Sequence, residues 1–364
     1  MRRFGKIIVL LFLSVYLLYG QAELKIAITG RVVDASNGEG LPNVNVFLAG
    51  TTLGAASGAD GAYAIRNVPP GVYELVVSMV VYERHVRTVR AYDGKDQQID
   101  VRLKPAAIEI GTVEVTAKNP VEWKENFERF RKEFFGETIN AKECTILNPE
   151  VLDFRVNGGV FEVAFHVPIL IENRALGYEI EFYIEEFRME KLTIQYRART
   201  KFQELTPRNE RERESWNENR RRAYRGSRKH FLTALARGTV REEGFDIRIV
   251  PNLFLWSRDY RFAKPVEEPQ TLLQSTEYGF QKKLLFPDYL EVIYRFESAE
   301  PGFRQALNTT GSLAERQISW VQMNRVTVLF DTGGNLIEPF SLKSLGYWAF
   351  ERVAETLPLD YVSD

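Results

Sequence analysis

Between Thr29 and Tyr82 the chain reads as a succession of short strands that leaves few folds open. Val44, Val46 and Leu48 alternate with polar or small residues, as do Tyr63 and Ile65, then Tyr73, Leu75, Val77 and Met79. A period of two puts alternate side chains on one face of a sheet. Leu41-Pro42-Asn43, Asp60-Gly61 and Pro69-Pro70-Gly71 separate the runs. Gly and Asn reach positive φ cheaply and Pro presets φ, so these are turns. Strands this short predict a β-sandwich rather than a parallel sheet.

The same residues carry a resemblance. The order G-R-V-V-D, G-E-G-L-P, V-N-V, D-G-A-Y and P-P-G-V-Y-E-L, within residues 25–104, is similar to the carboxypeptidase-regulatory-like domain. The resemblance implies a small transthyretin-like sandwich. Such domains stand beside the catalytic unit of some zinc carboxypeptidases and at the start of many Bacteroidota envelope proteins, and have no activity of their own. Two departures, at Ser57–Gly61 and Val81-Tyr82, concern turn geometry only. Further on, KECTILNPEVLDF, IENRALGYEIEF, WNENRRRAYRGSRKHFLTAL and GYWAFERVAETLPLDY resemble a Bacteroidota envelope family in which an uncharacterised domain follows the regulatory-like one.

A length of 364 residues gives room for two domains, and 48 Lys+Arg against 49 Asp+Glu leaves a net charge of −1. With no global positive field, nucleic acid is not an expected partner. Arg2, Arg3 and Lys6 followed by the apolar run Ile7–Leu18 predict a signal peptide over residues 1–22. Cleavage after Ala22 or after Gly20 fits the small residues there. The expectation is therefore an exported protein, periplasmic, outer-membrane-associated or extracellular, with no transmembrane span after cleavage. The single Cys144 excludes an intrachain disulfide and a Cys-based zinc site, and reads as a small buried hydrophobe.

The expected fold class is mainly β or α+β: an N-terminal transthyretin-like β-sandwich, then a largely antiparallel β domain with one long helix. Gln98–Leu103 closes the sandwich. Ile108–Thr116 is a β-like run resembling the connector before the plug of TonB-dependent receptors, but too little chain follows for a plug and large barrel. A connector and amphipathic helix occupy 105–136: Asn119 at N-cap, Pro120 at N1, then Trp123, Phe127, Phe130 and Phe134 on one face. It is read as a clasp on the second domain, 137–364. There, expected strands are Val151–Val156 and Val160–Val167 around an Asn157-Gly158-Gly159 turn, Tyr178–Phe187, Lys191–Phe202, Phe245–Val250, Tyr278–Phe286, Tyr289–Phe296, Ile318–Phe330 and Asn335–Phe340. A charged helix is expected from Thr206-Pro207 to about Arg237, and a closing helix over Tyr347–Glu355.

That long helix holds the candidate site. At about 100° per residue, Trp216, Ala223, Tyr224, Ser227 and Phe231 lie within roughly 60° of Arg220, and Arg221, Arg222, Arg225, Arg228 and Lys229 face away. Asn219 and His230 flank the stripe. In one reading the stripe packs on the sheet and Arg220 pairs with an acid. In the other, Trp216, Asn219, Arg220, Tyr224, Ser227 and His230 edge a polar pocket, the Arg fork taking a carboxylate and the rings a sugar. Enzyme signatures are absent from the sequence. None of His85, His166 and His230 begins an H-x-x-E, and there is no G-x-S-x-G, P-loop or G-x-G-x-x-G in helical context. No metal and no cofactor is expected. The leading expectation is a non-enzymatic module binding a glycan, peptide or envelope protein. A hydrolase using carboxylates of the second domain, or a purely structural envelope protein, are the alternatives.

Overall fold

The computed structural model describes residues 25–106, 120–165, 167–190, 193–251, 263–306 and 315–363. The signal peptide, the run 108–116, Asn119 and His166 lie outside them.

The first body is a sandwich of two sheets. One holds β1 (Ile26–Asp34) with β4 (Ala62–Val68) on one side and β7 (Gln97–Gln98) and β8 (Val101–Leu103) on the other. The second runs β3 (Gly54–Ala56), β2 (Asn45–Leu48), β5 (Gly71–Ser78), β6 (His85–Ala91). The alternating residues do what their period dictates: Val44, Val46, Leu48, Tyr63, Ile65, Tyr73, Leu75 and Val77 all enter one core. The closing strand expected over Gln98–Leu103 is two short strands, each parallel to β1. The break has a cause. The Ile99 carbonyl accepts the Tyr63 hydroxyl at 2.7 Å, and the Arg31 amide goes to the Asp100 carboxylate at 2.9 Å.

The second body is a six-stranded sheet under helix α1 (Pro120–Phe135). Its strands are β9 (Cys144–Ile146), β10 (Leu152–Asn157), β11 (Val160–Phe165), β12 (Ile169–Asn173), β13 (Tyr178–Glu190) and β14 (Thr193–Glu204). The long β13 is its spine, pairing β12 and then β11 along one edge and β14 along the other. The β10–β11 turn is made by Gly158 and Gly159, at φ of 57° and 84°, a pair of left-handed positions that glycine fills without strain. Helix α1 lays its aromatic face on the sheet. Phe130 meets Phe154, Phe165 and Phe187, and Trp123 stacks on Phe127. Cys144 is buried here, its thiol pushed up to about 12 by desolvation.

The remaining chain begins with α2 (Glu210–Tyr224) and α3 (Arg228–Arg237), two helices where the sequence reads as one. Gly226 at φ +74° and Ser227, which caps α3 through its side chain, make the break. Next come β15 (Phe245–Val250), β16 (Lys264–Pro265), β17 (Leu273–Ser275), β18 (Gln281–Leu284), β19 (Tyr289–Ser298), α4 (Pro301–Ala306), β20 (Arg316–Met323), β21 (Val328–Asp331), β22 (Leu342–Gly346) and α5 (Tyr347–Phe350). They form a five-stranded sheet, β16-β15-β19-β20-β22, and a three-stranded one, β17-β18-β21. The expected strand Ile318–Phe330 is thus two strands in different sheets. The chain leaves the ladder at Asn324, whose amide and side chain bond the Ser341 and Phe340 carbonyls. The return arm Asn335–Phe340 keeps one bridge, Phe330 to Leu336, before a 3-10 turn at Pro339. The closing helix is one turn of α5 followed by a 3-10 turn at Val353–Glu355.

Among the described residues the three largest hydrophobic cores lie in the sandwich, between α1 and the six-stranded sheet, and between α3 and the sheets of β15–β22. The sandwich is tied to β14. Gly50 N–H donates to Thr200 at 2.6 Å, Phe202 N–H to Thr51 at 3.0 Å, and Arg199 forks onto Glu74 at 2.9 and 3.1 Å. Phe47 stacks on Tyr183 beneath these bonds, centroids 5.4 Å apart.

Phe130 is fully buried at the centre of the α1 contact. Phe130→Ala should lower unfolding free energy by about 3–5 kcal/mol, read by urea titration; a loss under 1 kcal/mol would mean that α1 does not hold the sheet.

Candidate functional site

Helix α2 is polar almost all round; its buried residues are Trp216, Arg220 and Ala223. It begins at Asn209, whose side chain accepts the Glu212 amide at 3.0 Å, while Glu212 bonds back to the Arg208 amide at 2.6 Å. That reciprocal cap fixes the start of the helix and the direction of the face that follows.

That face grips one loop. Trp216 Nε1 donates to the Arg174 carbonyl at 2.7 Å and Asn219 Nδ2 to Ala175 at 2.8 Å. Arg220 donates to Leu176 at 2.7 Å and Gly177 at 3.2 Å, and its third contact is Glu204 at 2.9 Å. Its guanidinium lies 4.1 Å over the Tyr178 ring. Gly177, at φ +70°, is the position where a side chain would run into the Trp216 indole.

The other three residues singled out from sequence gather at the α2–α3 corner. Ser227 caps α3 by accepting the His230 amide. His230 is buried and takes the Gly226 N–H on Nδ1 at 3.1 Å, which leaves Nε2–H facing Glu243 at 3.3 Å. Burial pushes its pKa below the ordinary imidazole value. The Tyr224 ring packs on it, centroids 4.9 Å apart. The six residues therefore form two groups of three, and of them Arg220 lines an open cavity.

That cavity, about 270 Å³, lies between α2, the ends of β13 and β14, the sandwich loop at Thr52 and the C-terminal strap 358–362. Arg220, Tyr178 and Glu204 make its base. Asn217 and Arg221, at i−3 and i+1 to Arg220, make the helix wall. Pro358, Asp360, Tyr361 and Val362 make the opposite wall. Asp360 is fixed by the Thr52 amide at 3.0 Å and the Thr52 hydroxyl. Lys229 holds the strap, donating to Pro358, Leu359 and Tyr361 carbonyls at 3.1, 2.8 and 2.9 Å. Burial brings its amine down to about 8. Sequence reading placed Arg221 on the outward basic face and gave no signal for the rest. Asn217 could have been found from helical spacing to Arg220; Thr52 and Asp360, 308 residues apart, could not.

A second polar cluster sits on the far side of α2. Glu351 is raised well above the ordinary carboxylate range, by burial first and then by Glu355, Glu300 and Glu297. Those three are raised as well, chiefly by burial. Arg222, Arg225, Lys142 and Tyr347 face the group. Among the described residues no cluster of His, Cys, Asp or Glu is arranged to hold a metal, and no helix is long and apolar enough to cross a membrane.

The two-sheet sandwich and its turn order agree with a family match. Residues 28–115 match the model of the CarboxypepD_reg-like domain family. No curated protein matches the chain. Among solved structures, the pilus 2b backbone protein of group B streptococcus is 19% identical, over 22% of this chain and 41% of that one, at a TM-score of 0.20. A cohesin-X-dockerin complex of Acetivibrio cellulolyticus is 17% identical over 28% of this chain and 71% of that one, at 0.21. A DUF3823 family protein of Parabacteroides merdae is 9% identical over 49% and 80%, at 0.19. The chain spans about two fifths of the length of the pilus protein.

Two outcomes follow from the geometry. Arg220→Ala strands buried carbonyls and should cost about 3 kcal/mol; a melting point unchanged from the parent would show the grip to be dispensable. The raised carboxylates bind protons more tightly folded than unfolded. Their stability contribution is present below the ordinary value of 4.5 and is lost as pH rises through the folded values. Glu351→Gln should therefore raise the melting point at pH 7.5 and leave it nearly unchanged at pH 4; equal shifts at both pH values would contradict this.

Proposed function

We propose that the protein is a non-catalytic, exported module of the cell envelope that holds a glycan, peptide or protein partner in the cleft between α2 and the C-terminal strap. The observation that carries this is the convergence on one open cavity of Arg220, Arg221, Glu204, Asn217, Asp360 and Tyr361 from three separate stretches of chain. Oriented polar groups in a concavity are what selective binding requires. The CarboxypepD_reg-like match supports an accessory role, and the apolar run Ile7–Leu18 behind Arg2, Arg3 and Lys6 supports export.

The expected result is a ligand-induced rise in melting temperature on screening the mature chain against envelope glycans and peptides, or a partner retained in a pull-down from outer-membrane extract. In either case Asn217→Ala together with Arg221→Ala should remove the signal. No response in both experiments would end this reading.

A further inference from the structure

We infer that the cleft takes a neutral, polyhydroxylated ring, the end of a glycan one or two sugar residues long; this rests on reading the cleft as the ligand site. The charges lining it cancel: Arg220 and Arg221 against Glu204 and Asp360. Three of the four, Arg220, Glu204 and Asp360, are also fixed by partners inside the protein. Arg220 is bound to Glu204 at 2.9 Å and to two carbonyls, and Asp360 is held by both donors of Thr52. An anionic ligand would set its charge against Glu204 and Asp360, and a cationic one against the two guanidinium groups. A lipid chain would meet Pro358, Val362 and the Tyr361 ring as apolar surface, set among four charged side chains.

Hydroxyl groups fit what remains. A carboxylate offers about four lone-pair positions, so Glu204 and Asp360, each held from one side, keep acceptor capacity in fixed directions. Asn217 and Arg221 are exposed and stand one helical turn apart on one face, presenting donors across from those acceptors. The Tyr178 ring is already covered by Arg220, 4.1 Å away, and is buried, so it offers no free face for stacking. Alternating donors and acceptors without net charge match a ring whose every hydroxyl both donates and accepts. The volume, about 270 Å³, lies just under the roughly 300–1,000 Å³ usual for small-molecule sites.

The test titrates the mature protein by saturation-transfer NMR and calorimetry. The probes are methyl pyranosides of glucose, galactose, mannose and N-acetylglucosamine, their β-linked disaccharides, inorganic phosphate and a zwitterionic dipeptide. Saccharide binding is expected, changing less than twofold between 50 and 500 mM salt, as suits an uncharged ligand. Asn217→Ala and Arg221→Ala, which touch no structural bond described above, should each weaken it at least tenfold with no change in melting temperature. Binding of phosphate or dipeptide without saccharide would overturn the neutral-ring inference while leaving the cleft as a ligand site. Saccharide binding that both variants retain would put the sugar elsewhere and overturn it too. Silence from every probe, together with an empty pull-down, would remove both readings at once.

Discussion

The carbonyls of Arg174, Ala175, Leu176 and Gly177 form the turn between β12 and β13, and all four accept hydrogen bonds from side chains of one helix. A buried loop whose carbonyls lacked partners would be costly. Here the donors come from Trp216, Asn219 and Arg220, and so a helix with almost no apolar stripe is nevertheless docked. Asn173, fully buried at the start of the turn, extends the same network by bonding the Leu176 amide and the Ala354 carbonyl. The position of α2 therefore depends on directional bonds rather than on a broad hydrophobic face. The cleft depends on α2 in turn, because the residues of its wall neighbour those of the grip.

The opposite wall is equally conditional. The strap 358–362 belongs to no helix or strand and is held by its neighbours, among them Asn335, which donates to the Leu359 carbonyl at 3.1 Å. Leu359 N–H donates to Gly50 at 2.7 Å, Thr52 fixes Asp360, and Lys229 gathers three carbonyl acceptors. Burial of an ammonium is unfavourable unless its donors are met, and the strap meets all three. Sandwich, helix layer and C-terminal strap are thus joined around one cavity, and no one of them builds it alone.

Much of the architecture was legible in the chain. Period-two alternation fixed the sandwich strands, because burial on one face forces it, and the Trp123, Phe127, Phe130, Phe134 spacing gave α1 nearly to the residue. Errors fell where side chains compete with the ladder for backbone partners: at Ile99-Asp100, at Asn324, and at Gly226-Ser227. In each case a polar side chain or a left-handed glycine ends an element through which the apolar pattern continues. The short strands β9, β12, β16, β17 and β22 were missed for a related reason: two to five residues of pattern carry too little period to read.

Of the candidate site, sequence identified Trp216, Asn219 and Arg220 as sharing a helical face, since a period of 3.6 requires it. It could not say that the face meets carbonyls rather than a ligand, nor that Tyr224, Ser227 and His230 lie beyond a break. What the sequence alone determined is the sandwich, the aromatic clasp and the overall charge balance, all of which follow from local period and composition. The cleft was decided by tertiary structure only. Its groups come from Thr52, Glu204, α2 and Asp360, and no local rule relates residues that meet solely because three separate cores pack together.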